Sequence, residues 1–309
     1  MYDPTANRRG ILLMIAGSSV FSTNDAMSKL ALAYIPPTEI LAVRGAMAAV
    51  LMLLLIAWRG QLPAVRHVLD RRVLARASAE ACVAVLFITA IVTMSIGDAT
   101  AILQVAPLAT MAVAVLAFGA RIGAGQWAAV AVGFLGVMLI VKPGSSAFNA
   151  VALLPLASAL LISARDFVTG RIGAHVPTLV VTLATALVGM AIGFGGSAVE
   201  SWQPLNLWTI AYLFGGSLSL LCGHMLTIAA FRGADPSLIS PYRYAAVVCS
   251  VGLSALMFNN MPDLVSIGGM ALIMAGGLYT MHQHRATPVR KAVPRPEASG
   301  EPAQQHGSP

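Results

Sequence analysis

Ten apolar segments of about 20 residues, separated by short polar connections, constrain this chain more than any other feature. About 20 apolar residues in a helix span a ~30 Å hydrocarbon core. The segments lack the alternation of barrel strands, and backbone groups in lipid must bond within their own segment, so each is expected to be helical. The predicted transmembrane helices are 11–33, 38–57, 77–96, 99–119, 123–141, 149–168, 177–197, 206–229, 236–258 and 263–281.

The composition supports an all-α integral membrane protein. Apolar residues make up 58% of the chain and charged residues 10%, whereas soluble domains average roughly 45–50% and 25%. The net charge of +7 does not indicate a nucleic-acid partner, because the basic residues are scattered between apolar runs. The expected partners are the lipid bilayer and a small-molecule substrate, and nothing in the sequence fixes the oligomeric state.

The basic residues also predict an orientation. Placing both termini in the cytoplasm of a bacterium puts fourteen Lys and Arg residues inside and only Lys142 outside, with the other four inside helices. This asymmetry is the positive-inside pattern of inner-membrane proteins. The predicted location is therefore the bacterial inner membrane, crossed many times.

An internal repeat appears at an offset of about 140 residues. The segment 22–25 (STND) matches 163–166 (SARD), and the Pro-Thr pair at 37–38 matches that at 177–178. Because each copy holds five helices, an odd number, the second must insert upside down relative to the first, a recurring plan of secondary transporters. The predicted units are a cytoplasmic N-terminal segment 1–10, repeats 11–141 and 149–282, and a disordered, Pro-rich, basic cytoplasmic tail 283–309.

Ionisable residues inside the predicted helices are the first candidates for function, because they are costly in lipid. Asp25 and Lys29 share one face of helix 1 at i,i+4 spacing and could neutralise each other. A static pair that braces helices 1 and 2 is the alternative for them, and snorkelling or bracing is an alternative for the arginines. The substrate-binding or gating candidates of this kind are Asn24, Asp25, Lys29, Arg44, Arg165 and Asp166.

Helix 9 contains the sequence Pro241-Tyr242-Arg243-Tyr244. A proline removes a backbone donor and can kink the helix, while Arg243 offers a planar cation for an anionic or carbonyl-bearing ligand. Tyr242 and Tyr244 offer stacking faces and hydroxyls. Gln104 occupies the corresponding place in helix 4. His224 in helix 8 could titrate near neutrality, although a satisfied interhelical histidine is the plainer interpretation.

No catalytic residues are predicted. The sequence has no P-loop, no GxSxG and no HExxH motif, and its three cysteines lie in apolar runs without CxxC spacing. We therefore expect neither an enzyme nor a cofactor or metal site.

Residues 10–282 resemble the drug/metabolite transporter superfamily with tandem EamA-type repeats. The resemblance rests on the pattern of 24–29 (NDAMSK), Arg44 early in helix 2 and the helix 9 motif at 241–244. It implies alternating access, cytoplasmic termini and a central cavity lined by both repeats. The Gly-Glu pairs common at the ends of helices 4 and 9 are absent, since residues 119–121 read Gly-Ala-Arg and residues 259–260 read Asn-Asn.

The same motifs look most like a proteobacterial branch with riboflavin and S-adenosylmethionine carriers. The narrow expectation is riboflavin uptake. Export of amino acids, amines or other small amphipathic solutes is a second hypothesis. A non-transporting membrane scaffold or lipid-handling protein is a third. The sequence does not fix the coupling ion.

Overall fold

The computed structural model describes residues 4–110, 123–142, 150–169, 171–173, 175–231 and 240–286, and within these residues the regular structure is entirely helical. The second half of predicted helix 4, the start of helix 9 and the tail beyond 286 lie outside the described residues. The α-helices are α1 (Pro4–Ala31), α2 (Pro37–Trp58), α3 (Arg71–Thr93), α4 (Ile96–Leu103), α5 (Ala124–Val141), α6 (Leu153–Thr169), α7 (Thr178–Gly196), α8 (Leu207–Phe231), α9 (Ala245–Phe258) and α10 (Leu264–Ala286).

Six of the described spans are long and apolar enough to cross a membrane. Two shorter apolar helices, Tyr242–Phe258 and Leu264–Tyr279, accompany them. The prediction of an all-helical membrane protein is confirmed at this level. The spans are Pro37–Trp58, Arg71–Thr93, Ala124–Val141, Ala150–Thr169, Thr178–Gly196 and Leu207–Thr227.

Several helix bounds differ from the prediction. The first helix begins at Pro4 instead of 11, and the last continues to Ala286 instead of 281, because polar ends extend an apolar helix beyond the hydrocarbon. A 3-10 helix, Leu62–Leu69, lies in the connection between α2 and α3, where no transmembrane helix was predicted.

Predicted helix 4 is interrupted. The α4 helix ends at Leu103, and a turn at 104–105 precedes helical residues 106–110. Pro107 lies just after this turn, and its ring excludes the carbonyl of residue 103 from regular helical bonding. In helix 9 a 3-10 segment, Ser240–Tyr244, likewise precedes α9. The segment that contains Pro241 is therefore a 3-10 helix, which is narrower than the α-helix that follows it.

The helices pack in a cross-connected bundle. The α1 helix contacts α8 and α9, the α3 helix contacts α6 and α7, and α2 contacts α7 and α8. The α5 and α10 helices pair with each other, and α4 packs on α9 and α6. The two largest buried apolar clusters follow this arrangement, one centred on α2 and α7 and the other on α4, α5, α9 and α10.

Close approach of α2 and α7 depends on small residues. A Cβ on Gly193 would overlap the backbone of Ala42, and one on Gly45 would lie 2.8 Å from the Met190 nitrogen. Because residue 42 meets 193 while 45 meets 190, the two helices run antiparallel. Glycines permit such backbone contact in membrane bundles.

Candidate functional site

The turn after α4 meets the 3-10 segment before α9. Gln104, at the end of α4, donates from Nε2 to the backbone carbonyl of Arg243 at 3.3 Å. This carbonyl belongs to the 3-10 segment before α9. Irregular backbone at membrane depth is tolerated where protein buries it or where it lines a cavity. The sequence placed Gln104 and the helix 9 motif at corresponding positions, and the structure brings them together.

A polar group that we call the Arg44 cluster joins α1 to α2. Arg44 donates from Nη1 to Asn24 Oδ1 at 3.2 Å and to Ser28 Oγ at 2.9 Å. Asn24 donates in turn from Nδ2 to Asp25 Oδ1 at 3.0 Å. Asn24 thus bridges the carboxylate and the guanidinium, and within the described residues no carboxylate oxygen lies within 4.0 Å of Arg44.

Lys29 does not join the Arg44 cluster. Its ammonium donates to the backbone carbonyl of Met94 and lies 5.4 Å from the ring centroid of Phe258. The expected Asp25–Lys29 pairing is wrong in this conformation, because the side chain of Lys29 extends toward the start of α4 and the end of α9. Lys29 therefore bonds to the connection between α3 and α4 and not to Asp25.

A second polar group, the Glu80 cluster, joins α3 to α6 and α7. Glu80 Oε2 lies 2.6 Å from Arg165 Nη1 and 3.4 Å from Arg76 Nη2. Arg165 also donates to Asp166 Oδ1, from Nη2 at 2.7 Å, and Arg76 donates to Thr185 Oγ1 at 2.6 Å. Two arginines and two carboxylates therefore compensate one another.

Both clusters border one cavity. It measures about 100 Å³ and lies among α2, α3, α7 and α8. Its polar lining comes from Arg44 on one side and from Glu80 and His224 on the other, with Thr182 and Thr185 between them. Pockets for drug-sized ligands occupy about 300–1,000 Å³, so this conformation encloses too little space for such a ligand.

The three residues after Pro241 point in different directions. Tyr244 is only 3% exposed and its ring fits against Gly277 of α10, where a Cβ would overlap the phenol. Tyr242 is 37% exposed. Arg243 is exposed and interacts electrostatically with Arg165, Asp166 and Glu80. Arg243 is therefore coupled electrostatically to the charges of the Glu80 cluster, while Tyr244 is packed inside the bundle.

Sequence reasoning missed Glu80 and misplaced Arg76. Glu80 lies within predicted helix 77–96, so the rule that singled out Asp25 also applied to it. Arg76 was assigned to the cytoplasmic connection because the apolar run begins after it, yet α3 starts at Arg71. His224 contacts the Phe21 ring edge-on, with centroids 5.1 Å apart, as expected of an interhelical histidine, although it also lines the cavity.

Comparison with known proteins identifies the family. The model of the EamA-like transporter family matches residues 8–142. A protein named riboflavin transporter from Rhizobium johnstonii is 33% identical over 222 residues, which cover 70% of this chain and 70% of that protein. The chain belongs to the EamA-like transporter family. It is thus a multi-pass membrane protein of the transporter class, as the resemblance implied.

Other relatives carry different substrate names. An S-adenosylmethionine uptake transporter of Rickettsia bellii is 26% identical over 187 residues, 60% of this chain and 63% of that protein. A pseudopaline exporter, CntI, of Pseudomonas aeruginosa is 27% identical over 268 residues, 86% of this chain and 94% of that protein. A solved crystal structure with 19% identity superimposes with a TM-score of 0.62, covering 90% of this chain and 98% of the other, and shows that the fold is shared.

Proposed function

We propose that this chain is a secondary transporter that moves a small organic metabolite across the bacterial inner membrane by alternating access. The observation that carries this proposal is the meeting of the turn in helix 4 with the 3-10 segment before α9, through Gln104 and the Arg243 carbonyl, in a bundle that holds two polar clusters. Discontinuous helices near the midplane commonly form substrate sites in secondary transporters.

The helix contacts support two inverted five-helix repeats within ten transmembrane helices. Exchanging α1–α5 for α6–α10 turns the α1–α8 contact into α6–α3, and the α2–α8 contact into α7–α3, and all of these contacts occur. Equivalent helices also run antiparallel: Gly136 meets Gly269 while Ala129 meets Gly276, and Gly97 meets Val251 while Gln104 meets Arg243. Antiparallel packing of equivalent helices is what inversion requires.

The candidate substrate path runs along the side chains that border the cavity and the helix interruptions. Arg44 is the leading ligand-binding candidate, because its partners are neutral acceptors that a ligand anion can replace. Since the cavity holds about 100 Å³, binding of a larger metabolite requires the helices around it to separate. Asp25, Arg243 and Gln104 are the further candidates.

The proposed orientation has both termini in the cytoplasm. The basic residues of the α2–α3 connection and of the segment after α6 then lie inside, in agreement with the positive-inside pattern. The opposite orientation would place fourteen basic residues outside.

The narrow proposal is riboflavin uptake, which rests on the relative from Rhizobium johnstonii. The test is uptake of labelled riboflavin into cells that lack their own importer, with and without this chain, repeated with a protonophore. Saturable uptake that unlabelled flavin competes away is expected. A correctly inserted protein that gives no uptake would exclude riboflavin as the substrate.

Export of a small amphipathic solute is the second candidate. The observation that favours it is the match to the pseudopaline exporter over 86% of this chain. This alternative predicts resistance to an external toxic analogue and lowered internal pools of an amino acid or amine. Efflux from preloaded cells, measured across such a panel, distinguishes it from uptake. A scaffold role predicts no transport in either direction.

A further inference from the structure

Three metal-binding side chains from distant parts of the sequence meet at one end of the bundle. His67 and Asp70 belong to the connection between α2 and α3, and His175 belongs to the connection between α6 and α7. One potential ligand atom from each residue lies within 4.8 Å of the other two. Local sequence patterns do not indicate this site, because His67 and His175 lie 108 residues apart in the chain.

The hydrogen bonding within the group suits a metal ligand. His67 Nδ1 lies 3.0 Å from Asp70 Oδ2. A carboxylate that accepts from one imidazole nitrogen fixes the tautomer and leaves the other nitrogen free to bind a metal. The His67 and His175 rings lie edge-on with centroids 5.1 Å apart, so the remaining nitrogens can converge on one ion.

The backbone around these side chains is held in place. Val68 and Val176, the neighbours of the two histidines, are each only 9% exposed and belong to the same buried cluster. Arg72 donates to the carbonyl of Arg171 at 2.7 Å, which ties the two segments together. The His175 ring also folds over Gly173, where a Cβ would lie against it. The approach of the two histidines is thus built into the fold.

We propose that His67 and His175, with Asp70 hydrogen-bonded behind His67, form a binding site for one divalent transition-metal ion of the zinc class. Imidazole nitrogens bind zinc at about 2.0–2.1 Å, which places two nitrogens about 3.4 Å apart in a tetrahedral site. Rotation of the exposed His175 side chain closes the remaining distance. Solvent supplies the remaining coordination positions, because the site is partly exposed.

A bound ion would link a segment of the first five helices to a segment of the last five. Alternating access requires the ends of the two halves to separate on one side of the membrane. The ion therefore acts as a clamp that holds this end closed and slows transport. This consequence rests on the proposed transport function, whereas metal binding itself does not.

The experiment measures zinc binding to the purified full-length protein in detergent, without a polyhistidine tag, by isothermal titration calorimetry. One zinc ion per chain is expected at this site, and it should be lost in the His67→Gln/His175→Gln variant. Asp70→Asn should weaken binding by about 10- to 100-fold, as loss of a carboxylate behind a metal-binding histidine does. His175→Gln alone serves if the double variant folds poorly, because His175 is exposed.

The matched control replaces two histidines that lie two positions apart in the sequence, His282 and His284. His282→Gln/His284→Gln should retain the zinc ion. The proposal is overturned if the His67→Gln/His175→Gln protein binds zinc as the wild type does, or if binding disappears only in the His282→Gln/His284→Gln variant. A transport assay with and without micromolar zinc then tests the clamp: the wild type should be inhibited and the His67→Gln/His175→Gln variant should not. Equal inhibition of both proteins would exclude the clamp.

Discussion

The Arg44 cluster and the Glu80 cluster border the same cavity but satisfy their cations differently. Arg44 donates to the neutral oxygens of Asn24 and Ser28. Arg165 and Arg76 instead share the carboxylate of Glu80, at 2.6 and 3.4 Å. A cation that contacts neutral acceptors retains most of its attraction for an anionic ligand, whereas a paired cation has little left. The first cluster is therefore suited to binding and the second to bracing.

The position of each cluster supports this division. The side-chain hydrogen bonds of the Arg44 cluster join two helices of one half, α1 and α2. The Glu80 cluster connects α3 to α6 and α7 and so crosses between the halves. A change of charge in the Glu80 cluster should alter folding, while the same change in the Arg44 cluster should alter transport.

The largest expected effect is that of Arg44→Gln on transport. Removing a hydrogen-bonded charge from a desolvated site costs about 2 kcal/mol or more. This cost corresponds to a transport rate about 30-fold lower. Membrane abundance should stay normal, because Asn24 and Ser28 are neutral and can bond to water. Initial transport rate, divided by the amount of inserted protein, is the measurement. Arg59→Gln, at the exposed end of the same helix, is the control, and a normal rate for Arg44→Gln would contradict the binding assignment.

Glu80→Gln should instead reduce stability. It leaves the cations of Arg76 and Arg165 without their shared carboxylate, at a cost of roughly 2 kcal/mol or more. Thermal unfolding in detergent and membrane abundance are the measurements. The double variant Glu80→Gln/Arg165→Gln removes a compensating cation and should regain part of the loss. If Glu80→Gln unfolds like the wild type yet stops transport, the Glu80 cluster belongs to the substrate site.

Arg243→Lys tests whether Arg243 binds a ligand or braces the bundle. Arg243 is exposed and adjoins the Glu80 cluster, so a ligand-binding role requires its planar fork of donors. We expect a transport rate about tenfold lower at normal abundance, because the variant loses about one hydrogen bond to a charged group. Activity that survives Arg243→Lys but not Arg243→Ala would assign charge alone to this residue, and lower abundance in both variants would assign it to bracing.

Much of the fold could be predicted from the sequence, because apolar length and composition alone define helices in lipid. The helix interruption at 104–105 was not predicted, since Pro107 sits within a continuous apolar run and hydropathy does not register a missing backbone donor. The partner of Lys29 was also mispredicted. Helical spacing places Asp25 and Lys29 on one face, but only the tertiary fold brings the Met94 carbonyl within reach of the ammonium.

Residues of the candidate site were predicted only where a polar side chain interrupts the apolar sequence of a single helix. Asn24, Asp25 and Arg44 were identified because each is polar in an apolar helix, and the structure joins them. The pairing of Glu80 with Arg165 is a contact between helices 85 residues apart in sequence, and no local pattern encodes it. The same holds for His67 and His175, whose approach depends on how the two halves pack.

The smallest expected effect belongs to a separate ion pair, which lies outside the helices at one end of the bundle. Lys142 after α5 pairs with Asp263 before α10, so like the Glu80 cluster it connects the halves. The Lys142 ammonium and the backbone N–H of Ser266 lower the pKa of Asp263 from 3.8 to about 2. Because the folded-state pKa lies below the unfolded value, the stabilisation is complete above about pH 4 and is lost as the pH falls through 2.

Asp263→Asn should therefore lower stability slightly at pH 7, since exposed pairs contribute little, and the difference from the wild type should shrink below about pH 4 and disappear below about pH 2. Thermal unfolding in detergent at several pH values is the measurement. High salt should reduce the effect of Asp263→Asn, because ions screen exposed charges, but should change that of Glu80→Gln less. If both variants responded equally to salt, the Glu80 cluster would be as hydrated as the exposed Lys142–Asp263 pair. The proposed role of the Glu80 cluster as a brace between the halves would then be wrong.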